Sequence, residues 1–225
     1  MLRYIFMDCN PYVVDIDKIY DEVWKSFFDL KQNKTLSSIF NGIDKNEWYA
    51  FFENRKSLIE HLGQSVYDSV KSELILIFKK ELKNYVKNYP LNENLNKFFL
   101  QAKENDAHIV IVSCNELMSE INKLYNMPNN VSIEIINEDH YLTATWLVNY
   151  ASNFNLTYEE IACITQVKKT INDMIKNNIF CVTVNDDKDV LKENGIVLSS
   201  IDELDYSNIS YNFFSNINED NEEEI

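Results

Sequence analysis

The chain has 225 residues, 45% of them hydrophobic and 13% aromatic, and a formal net charge of −15. That length and apolar share suit one α/β core plus an insert, enough to bury a core. The charge argues against nucleic acid, whose binding rests on Lys and Arg neutralising phosphates, and equally against an anionic membrane surface. Glycine is confined to Gly42, Gly63 and Gly195, so neither a glycine-rich phosphate loop nor a dinucleotide fingerprint can be built.

Short apolar runs alternate with helical patterns along most of the chain. Strands are expected at Leu2–Met7, Ala107–Val112, Val131–Ile136, Ile161–Thr165 and Ile179–Val184. Most are continuously apolar, as strands buried on both faces should be. Helices are expected between and after them, at Leu91–Glu104, Glu116–Tyr125, Tyr141–Phe154, Val167–Asn177 and Lys188–Glu193. This β-α order implies a parallel sheet with right-handed crossovers and helices on both faces.

The stretch 16–88 breaks the alternation. Ile16, Ile19, Tyr20, Val23 and Phe27 share one helical face, as do Val66, Val70, Leu74 and Ile77. An all-helical insert is expected there, with its aromatics Trp24, Phe27, Phe28, Trp48, Phe51 and Phe52 forming its own core. The core then comprises 1–15 and 89–215. Residues 216–225 hold five acids and no base, and read as a solvated, disordered tail.

The cysteines Cys9, Cys114, Cys163 and Cys181 lack metal-ligand spacing and read as reduced core residues of an intracellular protein. No apolar run approaches the roughly 20 residues of a membrane span, and the start MLRYIFMDCN turns acidic too early for a signal peptide. A cytoplasmic setting is expected.

At the N-terminus, YIFMDCNPYVVD (Tyr4–Asp15) puts an acid at the exit of an apolar strand, followed by a turn and an apolar-x-Asp ending. This resembles the first motif of the haloacid dehalogenase (HAD) superfamily: an apolar strand, then Asp-x-Asp-Gly and a trailing Asp. YPLNENLNKFFLQAKENDAHIVIVSCN, LTYEEIACITQ, KNNIFCVTV and GIVLSSIDEL resemble the later landmarks of its β-phosphoglucomutase-like branch in order and spacing, to about Leu204. The resemblance implies a three-layer, Rossmann-like parallel sheet with an inserted all-helical cap.

It also implies a site. In that family an aspartate attacks phosphorus, and a second, two residues on, is the general acid–base. Magnesium is held by oxygen ligands including an aspartate of the fourth motif, and Ser or Thr with a Lys clamps the phosphate. By resemblance Asp8 falls on the nucleophile, Asn10 on the acid–base, Pro11 on the glycine, Asp15 on the trailing aspartate and Ser113 on the hydroxyl of the second motif. Tyr141 lands on the lysine, and Thr165 and Gln166 on the two acids of the fourth motif, with Gln166 at the metal-ligand position. Three of five functional groups are thereby replaced by residues that do not carry proton, metal or phosphate charge.

Structural readings compete at each position. Asp8 would cap the following turn, and Ser113 with Glu116 would form a capping box. Lys168 and Lys169 would either replace the missing lysine or form a solvated helix face. Asp186, Asp187 and Asp189 read as helix caps rather than substitute metal ligands, and His61, His108 and His140 as structural. The expectation is a catalytically degenerate HAD-like protein that works as a binding or regulatory module for a small anion or a protein partner, with no cofactor. The alternative is an active hydrolase using Asp8, either with magnesium as a phosphatase or phosphomutase or without metal as a dehalogenase. A third reading is a pure interaction protein.

Overall fold

A computed structural model describes residues 1–30, 60, 62–136, 141–184 and 195–222. The chain divides into two units, Met1–Val14 with Leu91–Ile225, and Asp15–Pro90. The first is built on β1 (Tyr4–Asp8), β2 (His108–Ser113), β3 (Val131–Ile135), β4 (Ile161–Ile164), β5 (Phe180–Val184) and β6 (Gly195–Leu198). All pair in parallel, in the order β3-β2-β1-β4-β5-β6. β1 is central because its residues Ile5–Asp8 are buried and can be covered on both faces.

Within the insert the described residues are helical: α1 (Ile16–Leu30) and α2 (Gln64–Asn88). Asp15 starts α1, its Oδ1 accepting from the Lys18 N–H at 3.2 Å. Ile19, Tyr20, Val23, Trp24 and Phe27 are buried in this unit, with Tyr67, Val70, Leu74 and Phe78 of α2. Trp48, Phe51, Phe52 and the Phe28 side chain lie outside the described residues, as does His61.

The sheet carries α3 (Glu93–Glu104), α4 (Ile121–Leu124), α5 (Ala144–Ser152), α6 (Lys168–Lys176) and α7 (Tyr206–Glu222). On one face Phe6, Val110, Val112, Cys163 and Cys181 pack against Leu147, Ile171 and Met174. Phe6 takes the Trp146 and Tyr150 rings edge-on, at 6.2 and 5.5 Å, an arrangement that aligns ring edge with ring face. On the other face Phe180 meets Phe213 of α7 edge-on at 5.4 Å.

Scarce glycine leaves a mark on the turns. The residues after α3, α4, α5 and α6 that take the left-handed conformation are Asp106, Asn126, Asn155 and Asn178, with φ of 52–55°. Each is followed by an apolar residue whose N–H reaches five residues back: Ala107 to Ala102, Met127 to Asn122, Leu156 to Ala151 and Ile179 to Met174. These are Schellman closures with Asn or Asp where glycine is usual. Each turns the chain from a helix toward the next strand.

Several expectations need correction. Gly195–Leu198 is a sixth strand rather than the approach to the last helix; only its final residue is buried, so its apolar signal is weak. Glu116–Tyr125 splits into a 3₁₀ turn, Glu116–Met118, and the single turn α4, because only Met118 and Ile121 offer buried anchors. Residues 216–222 of the expected disordered tail are helical, since α7 runs to Glu222. Buried Tyr206, Ile209 and Phe213 anchor it, and no Gly or Pro interrupts it. The expected helix at Lys188–Glu193 lies outside the described residues. Among the described residues, no helix is long and apolar enough to cross a membrane.

The left-handed positions make a prediction. Asn155→Ala should cost about 1 kcal/mol, since a Cβ without a locally bonding side chain is strained there, while Asn155→Gly should cost nothing. Urea denaturation of the two variants measures the difference.

Candidate functional site

β1 sits where the strand order reverses, between β2 and β4, and connections leaving its two neighbours diverge there. In open α/β sheets that divergence makes a crevice at the C-terminal strand ends. Asp8 is the last residue of β1 and so stands at that end of the sheet, as a residue only 9% exposed. Ser113 ends β2, and Thr165 follows the last residue of β4.

Thr165 is fully buried and its hydroxyl donates to Asp8 Oδ2. Thr165 Oγ1 in turn accepts from the Val167 N–H at 3.0 Å, so one side chain ties the carboxylate to the entry of α6. Burial pushes the Asp8 carboxyl up to about 6, the Thr165 hydrogen bond opposing part of the rise. Its charge in turn adds to the burial that pushes Cys9 up to about 12.

Ser113 is buried, and its Oγ accepts from the Asn115 N–H at 3.1 Å. The cap of the following turn is Asn115, whose Oδ1 accepts from the Leu117 N–H at 2.9 Å. The expected Ser113–Glu116 capping box is therefore replaced by a serine turn and an asparagine cap. Glu116 is one residue into a 3₁₀ turn, too early to reach back as the third residue of an α-helix does.

The Asp8 hydrogen bond runs to Thr165. Asn10 and Gln166 are exposed. Tyr141 is half-buried, with the Lys169 ammonium 5.5 Å from its ring centroid, a cation–π distance. One turn further along α6, Asp173 Oδ2 accepts from the Ala144 N–H at 2.7 Å, capping α5. Lys169 and Asp173 thus clasp the segment where the resemblance puts a lysine. Burial raises the Asp8 carboxyl and the Thr165 hydrogen bond lowers it in part.

Three solved structures share this architecture. β-Phosphoglucomutase from Clostridium difficile aligns with a TM-score of 0.66 over 96% of this chain and 99% of its own, at 13% identity. CbbY from Rhodobacter sphaeroides, in complex with phosphate, gives 0.63 over 93% and 100%, at 9% identity. 2-Haloacid dehalogenase from Pseudomonas syringae pv. Tomato DC3000 gives 0.64 over 95% and 100%, at 8% identity.

The chain has the haloacid dehalogenase fold.

At these identities the likeness shows the fold and no chemistry. Neither a family model nor a curated protein matches the sequence.

The HAD fold raises the question of magnesium, which takes hard oxygen ligands and is usually held by one or two carboxylates plus substrate phosphates. Of the expected ligand positions only Asp8 carries charge, and its Oδ2 already accepts from Thr165. Asn10, Thr165 and Gln166 supply neutral atoms. Among the described residues no group of three or more His, Cys, Asp or Glu could hold a metal. This donor set does not fit a magnesium site. Asp186, Asp187, Asp189 and His140 lie outside the described residues.

Some expectations about individual residues change in three dimensions. Cys114 is exposed rather than part of the core; Cys9, Cys163 and Cys181 are buried and all four are free. His108 is structural, with Nε2 3.1 Å from Ser132 Oγ and its ring 5.1 Å from Tyr4. The partner of Asp8 is Thr165, not Gln166, because alternation along β4 puts Thr165 on the Asp8 side and turns Gln166 out. That alternation was the available signal.

Burial of Asp8 has a measurable sign. A carboxyl raised to about 6 from 3.8 stabilises the fold below the lower value, and that stability is lost as pH rises through the upper. The loss is on the order of 3 kcal/mol. Asp8→Asn, which keeps an oxygen for Thr165, should therefore be more stable than the native chain at pH 7.5, with the gap closing by pH 4. Denaturant midpoints at the two pH values check it.

Proposed function

We propose that this chain is a catalytically degenerate protein of HAD fold that works as a binding or regulatory module. The observation that carries the proposal is the Thr165 hydroxyl on Asp8, at the position where the fourth motif would supply an acid. Phosphoryl transfer is catalysed by positioning and by charges set around the transferring group. Here the retained carboxylate faces a neutral hydroxyl, and the acid–base position holds Asn10, whose amide carries no transferable proton near neutral pH. The ligand is a small anion or a protein partner, and the setting is cytoplasmic, in keeping with four free cysteines.

One observation favours an active hydrolase as the second reading. Asp8 is retained at the end of the central strand, where a nucleophile would stand. Burial makes its carboxylate more basic, which suits attack on carbon or phosphorus.

A panel of small phosphate esters and 2-haloacids, with and without magnesium, separates the two. The native chain should show no turnover above an Asp8→Asn control, since acid–base help alone is typically worth about 10²–10⁴-fold. Native turnover that vanishes in Asp8→Asn would replace this reading with the hydrolase. Calorimetry at millimolar magnesium should show no specific site; one tighter than about 1 mM, worth roughly 4 kcal/mol, would contradict the donor count. The double variant Asn10→Asp with Gln166→Asp should gain magnesium-dependent heat and weak turnover.

A further inference from the structure

Trp146 and Tyr150 stand one helical turn apart on α5, so their side chains meet on one face. Their rings stack, with 5.2 Å between centroids and 24° between planes. Phe6 of β1 takes both edge-on, and the Phe154 ring, just past the helix, lies 5.2 Å from Tyr150. Trp146 and Tyr150 are both half-buried against the core of the sheet. Packing by itself explains the stack. It does not explain the polar end of Tyr150.

The Tyr150 hydroxyl donates at 3.3 Å to Oε1 of Glu134, on the edge strand β3. A part-buried phenol needs a hydrogen-bond partner, and this one has a carboxylate, a base able to take its proton. Burial, and then the Glu134 charge, pushes the phenol up to about 12, so it keeps that proton at neutral pH. Indole and phenol are the side-chain rings that lose one electron most easily, and a phenol does so readily only as its proton leaves. The stack supplies a path for the electron and the carboxylate a place for the proton. The neighbouring rings, Phe6 and Phe154, are benzene rings that resist oxidation and carry the charge no further.

We propose that Trp146, Tyr150 and Glu134 form a redox site that traps one-electron oxidants, small radicals that reach the half-buried indole. The oxidant takes one electron from Trp146 and leaves an indole radical cation. An electron then passes from Tyr150 across the stack as the phenol proton moves to Glu134. The Tyr150 O–H bond breaks and a Glu134 O–H bond forms. Trp146 is restored, Tyr150 becomes a neutral phenoxyl radical and Glu134 a neutral acid, so charge balances. None of these residues belongs to the site around Asp8, and the inference is independent of whether the protein is a hydrolase or a binding module.

Pulse radiolysis of the full-length chain with azide radicals, which oxidise indole ahead of phenol, tests it. Tryptophan-radical absorbance should decay as tyrosyl-radical absorbance grows, in a first-order phase whose rate does not depend on protein concentration. The chain has three tryptophans, so variants assign the phase. Tyr150→Phe, which keeps ring and stack, and Trp146→Phe should each cut its amplitude. Glu134→Gln leaves the phenol an acceptor but no base, and should slow the phase about tenfold or more. Heavy water should slow the native phase, which a merely structural role for Tyr150 would not produce. The proposal is overturned by the lack of an intramolecular phase, by undiminished amplitude in Tyr150→Phe, by a native rate in Glu134→Gln, or by equal rates in light and heavy water. If Tyr150→Phe does not fold, Glu134→Gln and the isotope effect decide.

Discussion

A carboxylate at the buried end of a central strand needs a cation, a set of hydrogen-bond donors, or a proton, because its charge is costly to desolvate. Asp8 has the second, supplied by Thr165, and burial moves it toward the third. Much of the site's arrangement follows from that solution. Thr165 can serve only because β4 lies directly beside β1 in register, and its hydroxyl is held in turn by the N–H at the start of α6. The hydrogen bond therefore joins the central strand, its neighbour and a crossover helix.

Around Asp8 the described contacts are mostly neutral. The segment before α5, where the resemblance puts a lysine, is fastened to α6 by Lys169 over Tyr141 and by Asp173 on the Ala144 N–H. Asn10 and Gln166 are exposed residues. Each substitution is chemically mild alone, an amide or a ring for a charge. Together they leave one carboxylate whose main partner is a hydroxyl, which supports reading the fold as a scaffold for binding.

How the chain manages with so little glycine is a separate matter of backbone chemistry. Four helix ends turn through left-handed Asn or Asp, whose short polar side chains tolerate that conformation better than other residues. The apolar residue after each is the one whose N–H closes the turn, so the closure and the lead into the next strand are built from consecutive residues. A parallel sheet of this order can therefore be assembled without glycine at those positions.

The sequence by itself determined the alternation of elements, the parallel sheet and the acid at the exit of β1, because continuous apolar runs and helical spacing are local signals. The expectation that Asn10 and Gln166 stand where the family has acids rests on the resemblance, which places the motif. Weak local signals misled where burial is partial: β6 has one buried residue, Glu116–Tyr125 lacks a full apolar stripe, and the acidic end of α7 hides the anchors Tyr206, Ile209 and Phe213. Only the tertiary structure decided that Thr165 rather than Gln166 meets Asp8, that Lys169 lies over Tyr141, and that Ser113 closes a turn instead of a capping box. These are facts of register and of side chains meeting across 20 to more than 150 residues of sequence, or of a helix that forms one turn later than its pattern suggests. Spacing along the chain carries no record of which neighbour a strand will choose.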